Sequence, residues 1–375
     1  MIQGMEAKYK KYEIIPLAIT VNEDEKYILD FKDNFLYKDC NNGECEFISD
    51  IKREEEEFSF EYMGMIQSKD HILVVPNKGK NFLVFNKLEK KAYKIAVDEK
   101  VYINNIDKPG FNKLISYKDK IFAIKYICNS ICCINMDTLK ICYIDIFDDT
   151  KQNSDIFRTV GDCYCHDNYM YIPLAETNMF IVFNMDNYKF ETKQIDENIH
   201  IATVCGHKNI MYIVEMSGKK IHIVNLNEWN VEDTIDLTLP KEFKQDLNGS
   251  AWNMIYIGSI YYKHQLWLIP FAGSNMLVKV DLKSRMEEGI CRHNLNFVQN
   301  YWVNENQLWL FTDEGTIKIN MDTMDIEPLY FHHTELSLNR YILHKLNYRT
   351  CGDIIYESDI SLDNYIRYIL SSNKI

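Results

Sequence analysis

His207-Lys208-Asn209, then Met211-Tyr212-Ile213-Val214, then Ile223-Val224-Asn225 is the stretch on which the fold turns. A polar turn, an apolar run and a second apolar run ending in Asn read as antiparallel strands of a hairpin. The closing Asn can cap the next turn with its own side chain. The same run returns as Tyr27-Ile28-Leu29, Ile72-Leu73-Val74-Val75, Ile121-Phe122-Ala123-Ile124, Met170-Tyr171-Ile172, Leu266-Trp267-Leu268-Ile269 and Leu308-Trp309-Leu310-Phe311. The seven copies start 45, 49, 49, 41, 55 and 42 residues apart. The capped second run recurs too, as Leu83-Val84-Phe85-Asn86, Cys133-Ile134-Asn135, Ile181-Val182-Phe183-Asn184, Val278-Lys279-Val280-Asp281 and Ile317-Lys318-Ile319-Asn320.

An apolar stretch precedes each polar turn, and another segment, such as Ala92-Tyr93-Lys94-Ile95, follows each capped run. Each repeat therefore holds four strands, and a period of this length points to a propeller or another repeat array. A blade that is apolar on both faces cannot cover itself, so blades must pack face to face and close into a ring. The expectation is an all-β, seven-bladed β-propeller of four-stranded antiparallel blades, with six or eight blades as alternatives. The repeat resembles the broad propeller class that includes WD40, kelch, NHL and PQQ-type proteins over roughly residues 12–330. It lacks the Trp-Asp ending of the first, the Gly-Gly doublet of the second and the Gly-Lys-rich turn of the last. No active site transfers from that resemblance.

Composition agrees with a large core: 46% of the 375 residues are hydrophobic, with 25 Tyr and 19 Phe, a mixture that favours strands. A formal charge of -13 repels polyanions, so nucleic acid and anionic membrane are not expected partners. No apolar run has the length of a signal peptide core or a membrane-spanning helix. Eleven cysteines, an odd number, suit free thiols in a reducing compartment. Cytoplasmic localisation is expected on these grounds, and the Asn-, Lys- and Ile-heavy composition suggests a bacterial source.

The propeller is expected over residues 1–330. Residues 331–375 should form a tail of two short helices packed on it, read from the spacing of Leu336, Leu338, Tyr341, Ile342 and Leu346 and of Leu362, Tyr365, Ile366, Ile369 and Leu370. Lys8–Glu13 is a candidate outer strand of the last blade, closing the ring.

Propellers bind ligands where inter-blade loops converge on one mouth of the central channel, a fold-level expectation. The two richest loops are residues 155–162 and 246–253. They supply Arg158, Asp162, Trp252 and Asn253, and the other blades add His200, Tyr256 and Asn300. Arg158 has the planar fork that anchors a carboxylate or phosphate, or it pairs with Asp155 or Asp162. Trp252 and Tyr256 are candidate stacking surfaces, and Arg158, Trp252 and Asn253 are expected to share one pocket. His200 has no partner at a diagnostic catalytic spacing, and Cys163, Cys165 and His166 lack the second ligand pair of a zinc site. No catalytic residue, metal or cofactor is assigned. The expected function is a non-catalytic recognition or scaffold propeller for a protein, peptide or small polar ligand. The alternative is a propeller enzyme, a lyase or hydrolase acting on a sugar or peptide.

Overall fold

The computed structural model describes residues 13–14, 16–22, 25–30, 35–41, 43–50, 62–77, 80–98, 110–126, 129–146, 158–159, 161–175, 177–238, 254–271, 276–291, 298–312 and 315–334. They form seven blades, each with four antiparallel strands in chain order from the axis outwards. The innermost strands are Pro16–Asn22, Tyr62–Gln67, Phe111–Tyr117, Tyr164–His166, Ile201–His207, Tyr256–Tyr262 and Val298–Asn304. No helix occurs among the described residues, and the segments expected to be C-terminal helices lie outside them.

The apolar runs that define the repeat are the second strands, and they are apolar on successive residues because both faces are covered. In blade 2, Ile72 and Val74 pack towards blade 1 while Leu73 and Val75 pack towards blade 3. The whole molecule follows this rule. Seven apolar clusters fill the seven interfaces between neighbouring blades, including the one where blade 7 meets blade 1. Each fully buried Leu, Ile or Phe contributes about 1.5–3 kcal/mol relative to exposure, so the ring is held mainly by these radial interfaces.

The capping Asn and Asp residues act as the sequence suggests. Asn86 Oδ1 accepts the Leu88 and Glu89 amides at 3.0 and 2.9 Å, and Asp281 Oδ1 accepts those of Lys283 and Ser284 at 3.1 and 2.7 Å. The face carrying these turns is tied blade to blade by charge. Lys118 and Tyr117 of blade 3 both reach Asp186 of blade 4, and Lys263 and Tyr262 of blade 6 reach Asp322 of blade 7 in the same way.

Ring closure differs from the expected one. Phe331–His333 leaves blade 7 and adds in parallel to Glu44–Asp50, the outer strand of blade 1, and Glu13–Ile14 then pairs with that added strand. Glu13 therefore lies on the outer edge of the first blade's sheet, not on the last blade, and the rest of the expected Lys8–Glu13 strand lies outside the described residues. Gly43 makes this possible: its φ is +84°, and a Cβ there would strike the Tyr330 carbonyl. The close approach lets the Gly43 carbonyl accept the His332 amide at 2.9 Å.

Candidate functional site

Six of the seven inner strands carry a register shift near their start, at Pro16/Ala18, Tyr62/Gly64, Phe111/Lys113, Ile201/Thr203, Tyr256/Gly258 and Val298/Asn300. Such bulges bend a strand and re-aim its side chains. The residue just after the shift is Ala18, Gly64, Lys113, Thr203, Gly258 or Asn300, with Gly161 at the matching place in blade 4. All but Lys113 are small or short, as crowding around an axis demands.

Asp162 follows Gly161 and sits at the centre of this ring. Its Oδ1 pairs with Lys113 Nζ of blade 3 at 2.7 Å. Its Oδ2 accepts the Tyr301 hydroxyl of blade 7 and the Ser259 amide of blade 6, the latter at 3.3 Å. The Asp162 amide donates to Thr203 Oγ1 of blade 5 at 3.0 Å. Blade 7 stands three places round the ring from blade 4, so the Tyr301 contact crosses the axis. One residue, through its carboxylate and its amide, thus links five blades around the axis. The Lys113 and Asp162 side chains stay 20% and 19% exposed, so the charge-compensated pair can still be reached.

Space for this network comes from two glycines. A Cβ at Gly161 would enter the backbone of Ala202 and Thr203, and one at Gly258 would lie 2.6 Å from Asp162 Oδ2 and overlap Tyr301. Beside them, burial pushes the Cys205 thiol up to about 12, so it lines the site as a neutral thiol.

The other expected residues have separate places. Arg158 is half-buried beside the channel-side loops of blades 3 and 4: its carbonyl accepts the Ala175 amide at 2.7 Å, and its neighbour Thr159 donates to the Tyr126 carbonyl at 2.8 Å. Asp162 is the partner of Lys113, and Arg158 makes no ion pair among the described residues. His200 is exposed just before the blade 5 inner strand, with its carbonyl accepting the Met216 amide. Asn300 is half-buried and donates to the Leu17 carbonyl of blade 1 at 3.2 Å, across the seam. Tyr256 is not a stacking surface. It is 0% exposed in the cluster between blades 5 and 6, where desolvation raises its phenol well above the ordinary range. Trp252 and Asn253, and with them the expected shared pocket with Arg158, lie outside the described residues. Among the described residues no three His, Cys, Asp or Glu side chains converge as a metal site.

Sequence reasoning reached Asp162 and Asn300 and missed Lys113, Thr203, Ser259 and Tyr301. One signal was available: with the inner strands aligned on their first buried residue, Lys113 is the single charged side chain at a position otherwise occupied by Ala, Gly, Thr or Asn.

No protein-family model matches the chain, and no curated protein sequence matches it. Solved structures do. Virginiamycin B lyase from Staphylococcus aureus superposes with a TM-score of 0.60 at 13% identity, covering 81% of this chain and 94% of the lyase. YCF48 bound to D1 peptide gives 0.58 at 7% identity over 82% and 91% of the two chains. A chain of the mitotic checkpoint complex gives 0.56 at 10% identity over 85% and 88%. At such identities the likeness extends to architecture alone: the chain has the fold of a seven-bladed β-propeller, one shared by a lyase and by propellers that bind peptides and proteins.

Proposed function

We propose that this chain is a recognition propeller that takes a peptide or another small polar ligand at the channel mouth around Lys113, Asp162 and Tyr301. The observation that carries the reading is the Asp162 network, which joins five blades at the axis yet leaves both charges of the ion pair partly exposed. Its groups are spent on one another. Asp162 receives hydrogen bonds on both oxygens, Tyr301 donates its proton to that carboxylate, and the nearby thiol is held neutral, so the constellation is built for hydrogen bonding to a ligand. The remaining donors of Lys113 and the partly covered Asp162 offer a donor and an acceptor side by side, the pairing that a peptide amide or a sugar hydroxyl presents.

The test is calorimetric titration of the purified chain with panels of short peptides and oligosaccharides, repeated on Asp162→Asn and Lys113→Ala. Binding to the natural chain that weakens at least about tenfold in both variants, roughly 1.4 kcal/mol, supports the reading. Ligands bound equally well by both variants refute this site. A ligand recovered in chemically altered form supports the enzyme alternative, with the Tyr301 and Asp162 pair as its acid and base.

A further inference from the structure

Outside the channel, Cys133 and Cys142 occupy facing positions of two adjacent antiparallel strands in blade 3, Ser130–Asn135 and Ile141–Asp145. As directly facing residues they share one face of the sheet. Their backbone separation follows from the ladder. The Asn135 amide donates to the Lys140 carbonyl at 3.0 Å, so that facing pair is hydrogen-bonded, and two residues along, Cys133 and Cys142 form the next such pair. Facing residues of that kind stand about 5.5 Å apart at Cα, inside the roughly 4.4–6.8 Å that a disulfide spans. Other described cysteines lack this relation: Cys132 faces Tyr143, and Cys163 and Cys165 follow each other along one chain segment.

The geometry points to a redox-active dithiol at Cys133 and Cys142 that closes to a cross-strand disulfide when a hydroperoxide reaches the outer face of blade 3. The two sulfurs are unequal in a way that orders the steps. Cys142 is exposed, whereas Cys133 is 3% exposed in the apolar interface with blade 4. Burial pushes the Cys133 thiol up to about 11, so the first attack belongs to Cys142. Its thiolate attacks the O–O bond of the hydroperoxide, takes one oxygen to become a sulfenic acid and releases the alcohol or water. The Cys133 sulfur then attacks the Cys142 sulfur. The S–O bond breaks, and the departing hydroxide leaves as water with the Cys133 proton. Two thiols are oxidised by two electrons, and one peroxide is reduced.

A built environment supports the second step. Tyr188 OH of blade 4 lies 3.7 Å from Cys133 Sγ, and Lys120 Nζ of blade 3 stands 4.9 Å from the centre of the Tyr188 ring, so the hydroxyl that contacts the resolving sulfur has a cation over its ring. Both favour the thiolate as it forms.

The experiment uses the full chain, reduced, freed of reductant and treated with hydrogen peroxide, followed by intact mass and non-reducing peptide mapping. The expected product has lost two hydrogens, carries one link between the peptides of Cys133 and Cys142, and returns to the starting mass with dithiothreitol. Cys142→Ser and Cys133→Ser each abolish the link, while Cys132→Ser retains it. Recovery of Cys142 as a sulfinic acid with Cys133 still a free thiol, no reaction at Cys142, or a link that survives in Cys133→Ser through Cys132 overturns the assignment. Circular dichroism of the variants before oxidation distinguishes loss of the link from loss of the fold.

Discussion

Gly258→Ala tests whether the axial network is as tightly fitted as its geometry implies. A methyl group there would sit 2.6 Å from Asp162 Oδ2 and overlap the ring edge and hydroxyl of Tyr301. Overpacking of this kind costs about 1–3 kcal/mol. Moving the Tyr301 hydroxyl off the Asp162 carboxylate forfeits a hydrogen bond to a charged group, about 1.5–3 kcal/mol. One displacement causes both losses, so they do not sum fully, and the expected destabilisation is about 2–4 kcal/mol. The internal control is Gly64→Ala, the same repeat position in blade 2. Its added methyl would meet Leu114 Cδ1 at 3.5 Å and Val75 Cγ2 at 3.7 Å, which is ordinary contact. Removing a glycine without strain stabilises by about 0.4–1 kcal/mol through the unfolded chain. The two substitutions should therefore move the midpoint of urea unfolding, followed by tryptophan fluorescence, in opposite directions. Equal midpoints for the two variants, or a Gly258→Ala chain as stable as the natural one, would refute the fitted network.

Gly43→Ala should release the strap that closes the ring, since it forces a side chain to φ +84° and against the Tyr330 carbonyl. A cost of about 1–3 kcal/mol is expected, with faster hydrogen exchange confined to residues 44–50 and 331–334; unchanged exchange there would contradict the strap's role. Asp162→Asn leaves the Lys113 ammonium without its carboxylate and should destabilise by about 1–3 kcal/mol. The double variant with Lys113→Met should recover part of that loss, and an additive double-mutant cycle would show that the pair is not coupled. At alkaline pH the buried thiols set the trend. Burial holds Cys205 and Cys165 at about 12 and Cys133 at about 11 against an ordinary value of 9.0. Their folded values are raised, so their contribution is complete below pH 9. Above it the unfolded chain releases protons that the folded chain keeps, at about 1.4 kcal/mol per pH unit per thiol, and the loss runs on until the folded values are passed. Urea midpoints that stay level from pH 9 to 11 would contradict this.

Much of the architecture is legible along the chain because it is written locally and repeatedly. A strand buried on both faces must be apolar on successive residues, which is why Leu266 to Ile269 and Leu308 to Phe311 stand out, and an Asn or Asp at a strand end can satisfy the amides of the turn after it without help from elsewhere. Asp162 and Asn300 were legible as polar residues entering inner strands. Tyr256 was misread because an aromatic beside a rich loop looks the same in sequence whether it faces a channel or the next blade. The pairing of Glu13–Ile14 with the strand at Phe331–His333 was not legible because a two-residue strand carries no periodicity.

By itself, the sequence determined the four-stranded repeat and the apolar faces between blades, since hydrophobic burial and turn capping act over a few neighbouring residues, while the closed ring decided for seven blades over six or eight. Only the tertiary structure decided what meets at the axis and how the ring is sealed. Lys113 and Tyr301 are 49 and 139 residues from Asp162, and Gly43 receives a strand that begins at Phe331. Such contacts exist only once seven interfaces have fixed the curvature of the ring, because it is ring closure, not local preference, that brings those residues within hydrogen-bonding distance.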